Sequence, residues 1–286
     1  MTRIDRRGFL RFGVATAGVA CLSRFVHSAD KDDGFGGFIV GAQSYTFRNF
    51  DLEPALKRMQ ECGLRHVEFY QKHAPLTDDA KKVAALKKIC ADYGISVVAW
   101  GVQGFSKKMD ANKRIFEFGK ALGVKSFSAD PDPDSFDALD KLCDEYKIAI
   151  AIHPHGPSGK NSRHRWYGSE VILPAVKDHH PLIGTCLDTG HLIRMAQLGV
   201  KLDPAAEVRA MGSRNFGIHL KDHDNARKTD VICGKGVLNV VELLKALRDV
   251  KFGGHISIEY EANPAEPTAD VKACVAAVKD AVKQLG

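Results

Sequence analysis

The sequence lacks the marks of several common protein classes. Its cysteines form no CxxC or other ligand spacing; beyond the first 29 residues they are Cys62, Cys90, Cys143, Cys186, Cys233 and Cys274, scattered along the chain. That argues against a cysteine-built metal cage. Isolated cysteines on helices and at strand ends read as small buried hydrophobes rather than as a disulfide framework. No glycine-rich phosphate loop follows the first strand, where Gly41-Ala42-Gln43-Ser44 stands instead. An open dinucleotide-binding sheet therefore loses its signature. The N-terminal apolar stretch is about half the ~20 residues of a membrane-spanning helix. Charge of one sign is also scarce. Of the net +6, the first 29 residues supply +4, with Arg3, Arg6, Arg7, Arg11 and Arg24 against Asp5. The remaining body carries only +2, which offers no basic surface for nucleic acid.

The N-terminus reads as a separate piece. Arg6-Arg7-Gly8-Phe9-Leu10 is a twin-arginine pattern, followed by the small, apolar stretch Phe12 to Leu22 and a small-residue region near Ser28-Ala29. Residues 1–29 are expected to be a Tat-type signal peptide, 30–37 a linker, and 38–286 the folded domain. The expected location is the periplasm or another exported compartment. Cys21, after Gly18-Val19-Ala20, weakly resembles a lipoprotein site, but glycine stands where leucine is expected.

From residue 38 onward a strand followed by a helix repeats eight times. Strands are expected at 38–47, 64–69, 95–100, 124–128 and 148–153, then in runs ending at Asp188, His219 and Glu259. Between them, helices are expected at 52–61 capped by Asp51, 77–93 capped by Thr77, 110–122, 135–146, a segment ending near His180, 192–211, 239–250 and 269–285. Each strand reads as apolar throughout, as in parallel sheets buried on both faces. Eight such units in about 250 residues predict an α/β fold, a single-domain (β/α)8 TIM barrel.

Four consecutive strands, the fifth to the eighth, each deliver a ligand-type residue at the C-terminal end: His153, Asp188, His219 and Glu259. In a closed barrel these ends crowd one sector of the mouth. Two imidazoles and two carboxylates suit one divalent ion of the Mn, Zn, Co or Fe kind better than Mg or Ca. Alone, a strand-end histidine is usually a hydrogen-bonded core residue and an aspartate before a helix is usually a cap. Four in succession favour a metal site. His191 follows Asp188 by one turn. Glu68 lies near the end of the second strand, where it would bind a sugar hydroxyl or orient a ligand histidine. Tyr45, Phe47, Phe69, Trp100, Phe105 and Trp166 fall near strand ends, and Tyr45 and Trp100 are the candidates to face a substrate. In the loop after strand five, Arg163-His164-Arg165 would reach an anionic group or stay solvated.

Several segments carry a resemblance to a known family. Cys186-Leu187-Asp188-Thr189-Gly190-His191, Ile218-His219-Leu220-Lys221-Asp222, Gly234-Lys235-Gly236, Gly254-His255-Ile256-Ser257-Ile258-Glu259 and the approach Gly63-Leu64-Arg65-His66-Val67-Glu68 resemble the sugar phosphate isomerase/epimerase superfamily, the xylose-isomerase-like TIM barrels. The resemblance implies a metal-dependent isomerase or epimerase acting through an enediolate on a keto- or hydroxy-sugar. It implies Asp188, His219 and Glu259 as ligands and His191 as a substrate-contacting residue. The fifth strand end departs from the family's ketose 3-epimerases, which carry glutamate there; this chain reads His153-Pro154-His155. That departure resembles the inosose dehydratase branch and leaves open a lyase acting on 3-keto-glycosides by β-elimination. Candidate proton-transfer residues are Glu259, His155, His191 and Lys221, the last expected to have a lowered pKa beside a cation.

Apurinic-site endonucleases of the same barrel family need further histidines that are missing from Val67-Glu68-Phe69-Tyr70 and Val98-Ala99-Trp100-Gly101. The expected partner is a small carbohydrate, with no nucleic acid and no membrane span, and a homo-oligomer is possible. The remaining alternative is a non-catalytic sugar-binding protein.

Overall fold

The structure, a computed structural model, describes residues 33–158 and 162–286. The expected signal peptide, its cleavage region and Cys21 lie outside the described residues. Phe35, placed in the linker by composition, is in fact buried, with Lys279 Nζ 4.7 Å from its ring centre. The folded body thus begins a few residues before 38.

Eight parallel strands close into a barrel. They are β1 (Ile39–Gln43), β2 (His66–Phe69), β3 (Ser96–Phe105), β4 (Ser126–Pro131), β5 (Ala149–Ile152), β6 (Ile183–Asp188), β7 (Asn215–Leu220) and β8 (His255–Ile258). Each pairs with its neighbours in sequence, and β1 pairs with β8 to shut the ring, as Ile39 beside His255. The register sets Asp188 beside His219, and His219 beside Ser257. Around the barrel run α1 (Leu52–Glu61), α2 (Ala80–Asp92), α3 (Met109–Leu122), α4 (Phe136–Tyr146), α5 (Ser169–Val176), α6 (Thr189–Arg194), α7 (Pro204–Met211), α8 (Val240–Asp249) and α9 (Thr268–Gln284). Two small hairpins, Pro157–Ser158 with Ser162–Arg163 and Asp222–Asp224 with Thr229–Val231, stand above the mouth. Among the described residues no helix is long and apolar enough to cross a membrane.

The helices form because one face of each is apolar. In α8 the buried residues include Val240, Leu243, Leu244 and Leu247, the spacing that puts side chains on one stripe. Asn239 caps it by accepting from Glu242 N at 3.0 Å. The cap of α2 is Asp79, which accepts from Lys81 N at 2.9 Å, and not Thr77, whose Oγ1 instead takes Asp79 N at 3.1 Å. Gly119 in α3 lets helix and strand meet closely, since a Cβ there would lie 2.3 Å from the Phe127 ring.

The strands are not apolar on both faces. Glu68 of β2 bonds to Ser128 of β4, His219 of β7 and both His255 and Ser257 of β8. Only the barrel lumen lets side chains from those four strands meet. The apolar residues that suggested fully buried strands, such as Val67, Phe69, Ile150, Ile152, Ile256 and Ile258, belong to the hydrophobic core, and polar residues alternate with them on β2 and β8. The six cysteines among the described residues are free and buried, as their spacing suggests.

Candidate metal centre and cleft

His153, Asp188, His219 and Glu259 meet at the C-terminal mouth, with one ligand atom from each lying within 4.8 Å of all the others. His153 Nε2 is 2.9 Å from His219 Nδ1 and 3.4 Å from Asp188 Oδ2. His219 Nδ1 is 3.2 Å from Glu259 Oε2. Asp188 and His219 are wholly buried, while His153 and Glu259 also line a cleft of about 440 Å3 above them.

Local sequence explains the placement. Asp188 ends β6 and caps α6, its Oδ1 accepting from His191 N at 2.7 Å. Capping occupies one oxygen and turns the other inward, so the cap and the cluster member are the same residue. Thr189 Oγ1 donates to Lys221 O at 2.6 Å, which ties α6 to the end of β7. Gly190 is required by what passes over it: a Cβ there would lie 2.7 Å from the Lys221 side chain. Lys221 therefore reaches across to the carboxylates. Its Nζ is 2.9 Å from Glu259 Oε2 and 3.2 Å from Asp188 Oδ2, and it also bonds Glu261. Asp222, next in sequence, accepts from the backbone N–H groups of Gly234 and Gly236 through Oδ2 and of Val237 and Leu238 through Oδ1. The Gly234-Lys235-Gly236 segment is thus a loop anchor. A Cβ on Gly236 would sit 2.6 Å from Asp222 Oδ1.

The donor set fits a divalent cation. His219 gives its Nε2–H to Glu68 at 2.9 Å, which aims Nδ1 at the centre. Asp188 Oδ2 is buried and accepts no hydrogen bond, although Lys221 Nζ lies near it. Such an orphaned acceptor among two imidazole nitrogens and a second carboxylate is the arrangement a cation completes.

The same crowding sets the charges. Burial disfavours an ionised Glu259, but Lys221 and then His219 outweigh it and hold the carboxyl at about 2. Burial likewise opposes ionised Glu68, which His219 and His255 bring well below the usual carboxylate range. Burial disfavours a charged His219, yet Cys186, Glu68 and Glu259 pull its pKa well above the ordinary histidine value. Burial, then His153, push His155 down to about 4, and burial lowers His191 as well. Both imidazoles are neutral near pH 7. His191 accepts from Gly156 N at 3.0 Å through Nδ1.

Several expectations need correcting. Trp100 is wholly buried, donates to Ala74 O at 2.9 Å and packs edge-on against Phe118, so it is core and not a substrate contact. Glu68 is also wholly buried beneath the cluster, with its oxygens committed to four donors; it orients His219 rather than meeting a sugar. Lys221 does not have a lowered pKa from its protein surroundings. Burial works in that direction, but Asp188, Glu259 and Glu261 raise it and keep the ammonium charged. Arg165 is spent on Asp130 and Asp132. Phe47, Phe69, Phe105 and Trp166 are core residues.

Tyr45, His155, His191, Lys221 and Glu259 do line the cleft together. Sequence reasoning missed Gln43, Tyr70, Arg194 and Glu261 there, and His255, Ser128 and Ser257 beneath it. The signal for some of them was available: His255, Ser257, Glu259 and Glu261 alternate, and a period of two sends alternate residues to one face of an extended chain.

Known proteins share this framework. No curated protein matches the chain in sequence. Among solved structures, an uncharacterised protein of Parabacteroides distasonis is 25% identical, with 87% of this chain and 99% of that one covered and a TM-score of 0.65. A D-tagatose 3-epimerase-like protein is 16% identical over 87% of this chain and 99% of that one, with a TM-score of 0.66. D-psicose 3-epimerase from Clostridium cellulolyticum is 14% identical over 86% and 99%, with a TM-score of 0.64. The likeness to these last two is one of fold. A family profile described as the xylose isomerase-like TIM barrel matches residues 56–279, and the chain belongs to that family.

Proposed function

We propose that this protein is a divalent-metal-dependent isomerase or epimerase that moves a proton on the carbon next to the carbonyl of a keto- or hydroxy-sugar. The observation that carries this reading is the convergence of His153, Asp188, His219 and Glu259 beneath a cleft that also presents Lys221, His155 and His191. The named epimerases with the same fold support the substrate class.

A bound divalent ion supplies Lewis acidity toward a substrate carbonyl and its neighbouring hydroxyl. The chain's own residues do the rest. Charged Lys221 sets an ammonium beside the place where a carbonyl oxygen gains negative charge. Neutral His155 opens onto the cleft as a proton acceptor, ionised Glu259 approaches from β8, and neutral His191, its Nδ1 lone pair taken by Gly156 N–H, offers Nε2–H as a donor to a substrate hydroxyl. Tyr45 and Tyr70, edge to face at 5.4 Å, form an aromatic wall suited to the C–H face of a sugar.

A second reading is a dehydratase or β-eliminating lyase. It is favoured by His153, an imidazole at the position where a ketose 3-epimerase would use one of its two opposed carboxylates. A base removes the α-proton, the electron pair forms a C=C bond, and the β-oxygen leaves as water or alcohol after taking a proton from Lys221. The leader's twin arginines support export, expected to fail for a fused reporter when Arg6 and Arg7 become lysine.

The reaction is tested by incubating metal-loaded protein with keto-sugars, inososes and 3-keto-glycosides in D2O. Deuterium at the α-carbon without loss of a group supports isomerase or epimerase, and an enone supports the lyase. No exchange and no elimination with any of the three would remove both.

A further inference from the structure

A second cleft, of about 360 Å3, adjoins the first. The two share Arg194 and Glu261 as walls, and the second adds Gln197, His223, Thr229 and Asp230. Each volume falls in the range of about 300–1,000 Å3 found for small-ligand sites. A single sugar ring in the first cleft would leave the second unfilled.

The second cleft is organised around a buried acid. Asp230, in the hairpin after β7, accepts from Arg194 Nη2 at 2.6 Å through Oδ1 and meets His223 Nδ1 at 2.9 Å through the same oxygen. His223 Nε2 in turn lies 3.4 Å from the Gln197 amide. A continuous polar track therefore runs from Arg194, at the shared wall, through Asp230 and His223 to Gln197. Asp230 and His223 are buried, so this track is held in place rather than floating on the surface.

Charge narrows the class of ligand. Arg194 and Lys228 supply two positive charges, and Asp230 and Glu261 supply two negative ones. A phosphate or carboxylate would meet two carboxylates for its two cations. In the first cleft the protein's own cations are likewise already paired, Lys221 with Glu259 and Glu261 and Arg194 with Asp230. Amide, imidazole, hydroxyl and carboxylate groups together offer both donors and acceptors, which match a neutral ring bearing several hydroxyls.

We infer that the substrate is an unphosphorylated glycoside of at least two units, with the reacting sugar in the first cleft and its neighbour in the second, joined past Arg194 and Glu261. This rests on the reading that the first cleft takes a sugar, and it adds the length and charge of that substrate.

Calorimetric titration of the metal-loaded full chain tests it. The probes are a keto-monosaccharide, its phosphate ester, and the disaccharide carrying the same keto ring. The disaccharide is expected to bind about tenfold tighter than the monosaccharide, and the phosphate no tighter. Gln197→Ala removes an exposed amide and Thr229→Trp fills the second cleft; each should bring the ratio of disaccharide to monosaccharide affinity toward one, with circular dichroism checking the fold. Equal affinities in the unmodified protein, a ratio that neither variant moves, preference for the phosphate, or no binding of any probe would each overturn the inference. Deuterium exchange is read separately. Tight disaccharide binding without exchange removes the proposed reaction and keeps the second subsite; exchange with equal affinities does the reverse.

Discussion

Glu68 Oε2 lies 2.9 Å from His219 Nε2, so a carboxylate on β2 fixes an imidazole on β7 across the barrel lumen. The same oxygen accepts from His255 Nε2 at 3.0 Å and Ser257 Oγ at 2.9 Å, and the other accepts from Ser128. Every neighbour is a donor. In Glu68→Gln one oxygen becomes an NH2 group facing donors, which leaves buried groups unsatisfied at about 1–3 kcal/mol. His219 loses its fixed orientation, and divalent-metal affinity should fall about 10–100-fold. Calorimetric metal titration reads this directly; unchanged affinity in a folded variant would mean that Glu68 does not position the ligand.

Gly190 is tied to Lys221 by space alone. In Gly190→Ala the new methyl would lie 2.7 Å from the Lys221 stem. Overpacking of this kind costs about 1–3 kcal/mol. It should also move the ammonium off Glu259 and Asp188 and lower kcat more than it raises KM. Wild-type melting temperature and kcat together would contradict the placement of Lys221.

Trp100 supports the wall and not the substrate. Trp100→Phe loses the bond to Ala74 O and leaves a gap beside Phe118, which should cost about 1–3 kcal/mol in denaturant unfolding. KM for the substrate should stay as it was. A large rise in KM with unchanged stability would return Trp100 to the cleft.

The barrel was legible because its helices are punctuated and its strands evenly spaced. Gly123 after α3 and Asn239 before α8 mark ends that the structure keeps. The metal cluster was legible because its four members stand at successive strand ends, a one-dimensional pattern. The floor of the lumen was not, because Glu68 is joined to residues 60, 151, 187 and 189 positions away, and no local period records such pairs. Trp100 was misplaced for a related reason. Strand β3 continues to Phe105, so Trp100 is a mid-strand core residue and not a strand end. Lys221 stands in the cleft as its place after β7 suggests, and what no local pattern records is that Asp188, Glu259 and Glu261, from three other points in the chain, together raise its pKa in the protein alone.

Metal content of the purified full-length protein tests the central claim most directly. Elemental analysis after exhaustive dialysis should find one divalent transition ion per chain in the unmodified protein, with almost none in His219→Ala or Asp188→Asn, both still folded by circular dichroism. Adding that ion to the stripped protein should raise its melting temperature, and should not do so in the variants. An unmodified protein that holds no stoichiometric ion and melts at the same temperature with and without added Mn, Zn, Co or Fe would contradict the account.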